Sequence, residues 1–449
     1  MLKRLLTDLF SSSKSLVFLS FLSGAYGSIP VYFNKPPVPP RQFQEATYHF
    51  GGDIHMSPYA GGEDILFLHR CIERTEGWLI SKSPVYYSKT VQARIWRFSE
   101  LFAGWLPLNY LAVVIEHEIF GHGYRIRDVN RGRIKVKGYS FNTPPPYGPG
   151  GGATRYTIND QFTTTEESAV AMAGVESTAI LAWLAKMKWL EAGKIDPRQT
   201  ALYLLGQYDL ILYIGSLNVL DDDEMDGHDI KAYVDSVNQT YTANRLKGGR
   251  LRSLSWLNLG DAFTYYSLFA WLHYISSGKE TSIPMIPVFG YGYLPGIRLG
   301  LTPFGPEYFA ENFLLKETRP IYFYAKGGRH AKNNYYGLGM YAPKIWTVGK
   351  WAFGLRFDGW RQPKLLLQPA STTIFEINFD EPPDPDNPLY TYSQQHTMRF
   401  GSAASLLVSV QIDRLSGFET ELGYKTPGFL PGYALRAAPV ARLYYTLFF

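Results

Sequence analysis

Hydrophobic and polar positions change their period once along this chain, near residue 285. Before that point apolar residues recur at three- and four-residue intervals over 90–127, 164–192, 197–218, 228–241 and 252–277. Gly, Pro, Asp and Asn separate these segments, and the pattern predicts helices. Beyond it the interval falls to two. Trp351, Phe353, Leu355 and Phe357 alternate with Ala352, Gly354, Arg356 and Asp358, and Leu406, Val408, Val410 and Ile412 alternate with Leu407, Ser409, Gln411 and Asp413. Ile297, Leu299 and Leu301 follow the same rule. Successive side chains of a strand point to opposite faces, so these stretches predict strands with one apolar face.

The first residues read as an address. Lys3, Arg4 and Lys14 precede the apolar run Leu16 to Leu22, and Ala25-Tyr26-Gly27 supplies small residues where a signal peptidase cuts, so 1–27 is expected to be a signal peptide. The run is shorter than the roughly 20 residues that span a bilayer. The rest divides into a helical region, 28–284, and a strand region, 285–449. PPPYGPGGG at 144–152 is a flexible break that could serve as a lid; it lacks the Gly-Lys-Ser/Thr of a phosphate loop. The apolar runs 103–115 and 201–213 meet polar groups before spanning length and read as core helices. DEPPDPDNP at 380–388 reads as an exposed loop.

Composition changes the picture in two ways. A net charge of +5 over 449 residues, with no basic block of five or more, argues against a nucleic-acid partner. The 33 Tyr, 28 Phe and 10 Trp suit rings placed at a membrane–water interface. The single cysteine, Cys71, excludes an internal disulfide and a thiolate cluster, so a metal site must use His and carboxylate.

The chain ends on alternating Leu443, Tyr445, Leu447 and Phe449. This ending resembles the last strand of bacterial outer-membrane β-barrels, in which a terminal Phe is an assembly signal. The resemblance covers about the last 160 residues. It implies an outer-membrane location, contact with membrane lipid and with the barrel-assembly machinery, and a helical domain facing the periplasm. The expected fold class is α+β: a mainly helical, zinc-hydrolase-like N-terminal domain followed by an antiparallel β-barrel of about eight to ten strands.

Chemistry concentrates at Glu116-His117-Glu118-Ile119-Phe120-Gly121-His122-Gly123. Two His four apart share a helix face, whereas five apart they diverge by about 140°. One residue absorbed as a π-bulge restores the shared face, and Gly121 is a tolerant place for it. HEIFGH resembles the HExxGH motif of the dipeptidyl peptidase III zinc peptidases. The resemblance implies zinc held by His117 and His122, with Glu118 as general base; it covers this helix and so does not carry over the family's substrate.

A third ligand is expected from 164–192. Glu176 stands among small and apolar residues, where an unpaired charge is costly, and is favoured over Glu167. Glu166 and Glu167 follow Thr163-Thr164-Thr165, which reads as a helix cap with first-turn acids. Tyr124, Arg125, His228 and Tyr233 are candidate donors to a developing oxyanion, with His228 foremost because it lies in a polar break. Asp222, Glu224, Asp226 and Gly227 begin like a calcium loop, but Tyr233 stands where the bidentate Glu is needed, so 221–229 reads as an acidic break capping helix 228–241. The functional expectation is a zinc-dependent hydrolase, most simply a peptidase acting on peptide or protein. The alternative is a non-enzymatic outer-membrane channel or adhesion protein with a structural or vestigial metal site.

Overall fold

The computed structural model describes residues 46–80, 88–129, 134–158, 162–217, 227–242, 244–367 and 397–448. The expected signal peptide 1–27, the acidic stretch 221–226, the stretch 380–388 read as a loop and Phe449 lie outside them.

Helices form where the spacing predicts them: α2 (Val91–Val129), α3 (Thr164–Ala171), α4 (Ala173–Ala192), α5 (Thr200–Ser216), α6 (Asp229–Thr240) and α8 (Ala262–Ser277). Two more, α1 (Pro58–Ile80) and α7 (Gly248–Ser255), add to these, and a 3-10 turn at Trp256–Gly260 precedes α8. Local chemistry sets the ends. The Thr163 side chain accepts from Glu166 N while Glu166 reaches back to Thr163 N, a capping box that starts α3 as the sequence suggests. Gly193 and Gly278 end α4 and α8 in the left-handed region, at φ 69° and 72°.

The strands are β1 (Thr47–Gly52), β2 (Ile134–Phe141), β3 (Gly152–Ile158), β4 (Lys194–Ile195), β5 (Thr281–Ser282), β6 (Ile286–Val288) and β7 (Tyr291–Thr302). They continue through β8 (Gly305–Lys316), β9 (Arg319–His330), β10 (Asn333–Val348), β11 (Trp351–Pro363), β12 (Met398–Gln411), β13 (Ser416–Lys425) and β14 (Ala438–Phe448). Ten of them form one sheet in the order β1-β14-β13-β12-β11-β10-β9-β8-β7-β6, antiparallel throughout. Among the described residues the sheet is not closed by strand pairing, and β1 and β6 are its edges. β1, early in the chain, joins the sheet by pairing with the last strand, Thr47 opposite Phe448. The Pro- and Gly-rich segment 144–152 lies at the tip of the β2–β3 ribbon, Gly152 opening β3.

Strand alternation holds, but the apolar face points outward. Leu338, Trp351, Phe357, Leu406, Leu422 and Leu443 are exposed, while Glu307, Glu311, Lys326, Arg356, Asp358, Glu419, Glu421 and Arg442 are buried. Most of the buried charges are paired, as in Arg442–Glu421 at 2.7 Å, Lys326–Glu307 at 3.1 Å and Arg298–Glu311 at 2.9 Å, while Asp358 and Glu419 accept from the hydroxyls of Tyr324 and Ser409. Such pairing is what makes an interior charge tolerable.

α4 occupies the inner face and touches the sheet at both ends. Glu176, near its start, accepts from Gly432 N in the 426–437 connection. Further along, Trp183 packs on Tyr322 and Tyr341, Lys186 pairs with Glu311, and the Lys188 ammonium reaches the Thr47 carbonyl. The described residues belong to one compact unit, so the change near 285 is a change of element type within that unit. The end of the sheet that holds Thr47 and Phe448 has the short turns 289–290, 317–318, 349–350 and 412–415; the other end has the short turns 303–304 and 331–332 and the longer connections 364–397 and 426–437.

Candidate metal centre

α2 is continuous for 39 residues but has π geometry at Glu100–Trp105 and again at Glu116–Gly123. A π segment bonds i to i+5, so residues five apart lie over one another. The expected bulge therefore exists, and it brings His117 Nε2 to 3.2 Å from His122 Nε2.

Glycine serves closeness here. A Cβ on Gly121 would stand 2.7 Å from Ala173 O and 2.8 Å from Gly174 Cα, so its absence lets the π segment lie against the start of α4. A Cβ on Gly174 would stand 2.1 Å from His117 Nε2. The small residues before Glu176 thus make room for the His117 ring.

The third converging atom comes from Asp229, the first residue of α6. Its Oδ2 lies 3.0 Å from His117 Nε2 and 3.2 Å from His122 Nε2. Each ring is fixed from behind: His117 Nδ1 faces Asp209 Oδ2 at 2.9 Å, and His122 Nδ1 faces the Val170 carbonyl at 2.8 Å. Asp209 is held in turn by the Thr178 hydroxyl at 2.8 Å. A carboxylate and a carbonyl can only accept, so each Nδ1 carries a hydrogen. If both rings are neutral, both Nε2 lone pairs point at each other and at a carboxylate oxygen, an arrangement satisfied either by a metal ion between them or by a proton on Nε2 donated to Asp229.

The donor set fits a divalent ion. A tetrahedral zinc with bonds of about 2.0–2.1 Å sets its ligand atoms about 3.3–3.4 Å apart, so the observed triangle needs to open by a few tenths of an ångström. Two imidazoles and a carboxylate do not single out zinc. In the absence of an ion, burial would raise the Asp229 carboxyl, but the imidazoles of His122 and His117 outweigh it and hold the group below the usual carboxylate range.

Other residues named from sequence fall elsewhere. Glu176 is not part of the converging group: both its oxygens accept from Arg125 Nη2, at 2.8 and 3.0 Å, and Oε1 also accepts from Gly432 N. A buried Glu needs a cationic partner, and here that partner is the Arg125 guanidinium. Arg125 is consumed by that pair, by Asp128 and by the Tyr433 carbonyl. Glu167 stays in the first turn of α3. His228 is the N-cap of α6: its Nδ1 accepts from Lys231 N and its Nε2 lies 2.7 Å from Ser216 Oγ, so neither nitrogen is left for an oxyanion. Burial lowers its pKa, in keeping with a neutral capping ring. The Tyr233 hydroxyl donates to the Thr302 carbonyl, and Tyr124 is buried beside Arg125. Glu118, buried at the centre of the π segment, accepts a 2.7 Å hydrogen bond from the Thr154 hydroxyl of β3.

Sequence reasoning missed Asp229, Asp209 and Tyr213, whose ring stacks on His117 at 5.1 Å. Asp229 had one signal, a first-turn acid beside an expected helix start; Asp209 had the anomaly of a lone acid within the apolar run 201–213. Protein-family models, curated proteins and solved structures were all compared with this chain, and none matches it.

Proposed function

We propose that this chain is a metal-dependent hydrolase, with zinc as the fitting ion, seated in a membrane by the outer face of its sheet. The observation that carries the reading is the convergence of two Nε2 lone pairs and one carboxylate oxygen within 3.2 Å, with both rings oriented from behind. His117, His122 and Asp229 would hold the ion, which supplies Lewis acidity toward water and a carbonyl when bound. Glu118 is the general base, its carboxylate steered by Thr154 so that it can take a proton from an attacking water. Tyr213, flat on His117, replaces His228 as the nearest candidate donor to a developing oxyanion.

Peptide is the favoured substrate class. β3 reaches Glu118 through Thr154, and among the described residues the β2–β3 ribbon has no third strand. An extended peptide binds such an edge by adding a strand, which would lay its carbonyls along the site. Membrane seating rests on the inverted sheet, apolar outside and charged inside, the distribution of outer-membrane barrels. In such barrels the short turns face the periplasm. The metal centre lies toward the other end, where Asp128 of α2 accepts from Leu435 N, so this reading puts the site on the outer side, opposite to the periplasmic position expected from the sequence.

The test is elemental analysis of the purified full chain beside a His117→Ala, His122→Ala double variant, followed by fluorogenic peptide turnover. Stoichiometric metal lost in the double variant, with Glu118→Gln retaining metal but not turnover, supports the hydrolase. Metal with no turnover toward any peptide or ester in wild type would leave a structural site in a membrane protein. Absence of metal after reconstitution would sink the reading.

A further inference from the structure

An open sheet in lipid has two edges whose backbone groups need partners, because the hydrocarbon offers none. Here both edges are met by helical segments. On β1, Gly51 N donates to Asp64 Oδ1 of α1 at 2.7 Å, Thr47 N donates to Glu191 of α4 at 3.1 Å, and the Thr47 carbonyl accepts from Lys188 at 2.7 Å. Beyond the short β6, Leu299 N of β7 donates to Asn258 Oδ1 of the 3-10 turn at 2.6 Å. The gap between the edges is bridged by packed helices. His69 of α1 bonds Asn109 of α2 at 3.0 Å, and Arg97 of α2 donates to the Ile275 carbonyl of α8 at 2.9 and 3.1 Å.

The outward surface of this bridge is mostly apolar, with Arg74 of α1 and Gln92 and Arg94 of α2 also exposed on it. Ile72 and Trp78 of α1, Ile95 and Phe98 of α2, and Phe269 and Leu272 of α8 are all exposed, Ile95 at 60% and Leu272 at 66%. A core helix of comparable hydropathy would be mostly buried, yet in α2 the apolar 18-residue window is 28% buried. Eighteen helical residues span about 27 Å, close to the hydrocarbon thickness of about 30 Å. α8 has no Asp, Glu, Lys or Arg along its length. The inner side of the same helices is polar and paired: Arg198 of the α4–α5 connection meets Glu76 of α1 at 2.7 Å and Glu100 of α2 at 3.0 Å. Apolar outside and paired charge inside is the pattern of the sheet itself.

We propose that α1, α2 and α8 complete the membrane-facing wall, so that lipid acyl chains contact these helices as they contact the strands. The protein is then a mixed barrel, closed by strands over most of its circumference and by helices across the seam. This rests on the membrane seating proposed above. It also makes the apolar run of α2 a lipid-facing element rather than a core helix, and the catalytic motif the direct continuation of that element.

The test uses the full chain in a Cys71→Ser background with single cysteines at Leu422 on the sheet, Ile95 and Leu272 on the seam, and Lys137 on the β2–β3 ribbon. Each is labelled with an environment-sensitive fluorophore and reconstituted in phosphatidylcholine vesicles. Brominated-acyl phosphatidylcholine should quench Ile95→Cys and Leu272→Cys as strongly as Leu422→Cys, and aqueous iodide should quench only Lys137→Cys. Lipid quenching at Leu422→Cys with iodide quenching at the seam would overturn the helical wall while leaving the membrane-seated sheet. Quenching by neither agent at the seam would overturn it too, in favour of a covering protein. Iodide quenching at Leu422→Cys would overturn the membrane seating itself.

Discussion

Gly174→Ala tests the metal centre without touching a ligand. The new methyl would sit 2.1 Å from His117 Nε2, 2.3 Å from Cδ2 and 2.4 Å from Cε1. Non-bonded heavy atoms come to rest near about 3.5 Å, so relief requires the ring to move by about 1.4 Å. The backbone of α4 cannot supply all of this, because Gly121 already lies against Ala173 and Gly174 on the same face. Ligand distances in a working metal site hold to about 0.2 Å, and disturbing the groups that orient a ligand costs about 10–100-fold in metal affinity. Folding need not suffer in proportion, since Ala is favoured over Gly within a helix by about 1 kcal/mol. Zinc affinity by chelator competition should therefore fall at least tenfold, on the order of the orienting-group losses, while the metal-free variant keeps a cooperative thermal transition. Gly77→Ala in α1, where a Cβ meets nothing within 4 Å, is the control and should leave affinity unchanged. Undiminished affinity in Gly174→Ala would refute the claim that His117 Nε2 in its observed place binds the ion.

Three further outcomes follow from the same geometry. Glu176→Gln should bind metal normally yet lose about 1–3 kcal/mol in denaturant unfolding, because the buried Arg125 keeps Asp128 but loses a charged partner; loss of metal would return Glu176 to the ligand set. Asp209→Asn should keep the fold but weaken zinc binding about 10–100-fold, read by chelator competition, since the carboxylate behind His117 Nδ1 is lost. In the metal-free protein the depressed Asp229 carboxyl contributes stability that is complete above the ordinary carboxylate range near 4 and is lost as pH falls through its lower folded value. The advantage of wild type over Asp229→Asn in urea unfolding should accordingly shrink as pH falls below about 4, and an advantage that grows there would contradict the sign.

How far the sequence carried can be judged from particular residues. Periods of 3.6 and 2 are local, so α2, α4, α5, β11 and β12 were legible, as was the π-bulge forced by a five-residue His spacing. α1 and β1 were not, because β1 exists only through its pairing with β14, nearly 400 positions away in the chain. Glu176 shows a second kind of failure. Its burial was read correctly, but the identity of its cation depended on which face of α2 carries Arg125, and helical spacing does not rank one buried charge against another.

What the sequence alone determined, then, is whatever needs only neighbouring residues: the two element classes, the capping of α3 by Thr163 and Glu166, and a His pair with a Glu between them. The tertiary structure decided the direction of each amphipathic face, since alternation is the same whether the apolar side meets a core or a membrane, and only the charged pairs around α4 show that it turns outward. It also decided which carboxylate converges on the His pair. Asp229 reaches His117 and His122 across more than 100 residues of chain because α6 packs where it does, and no periodicity encodes that distance.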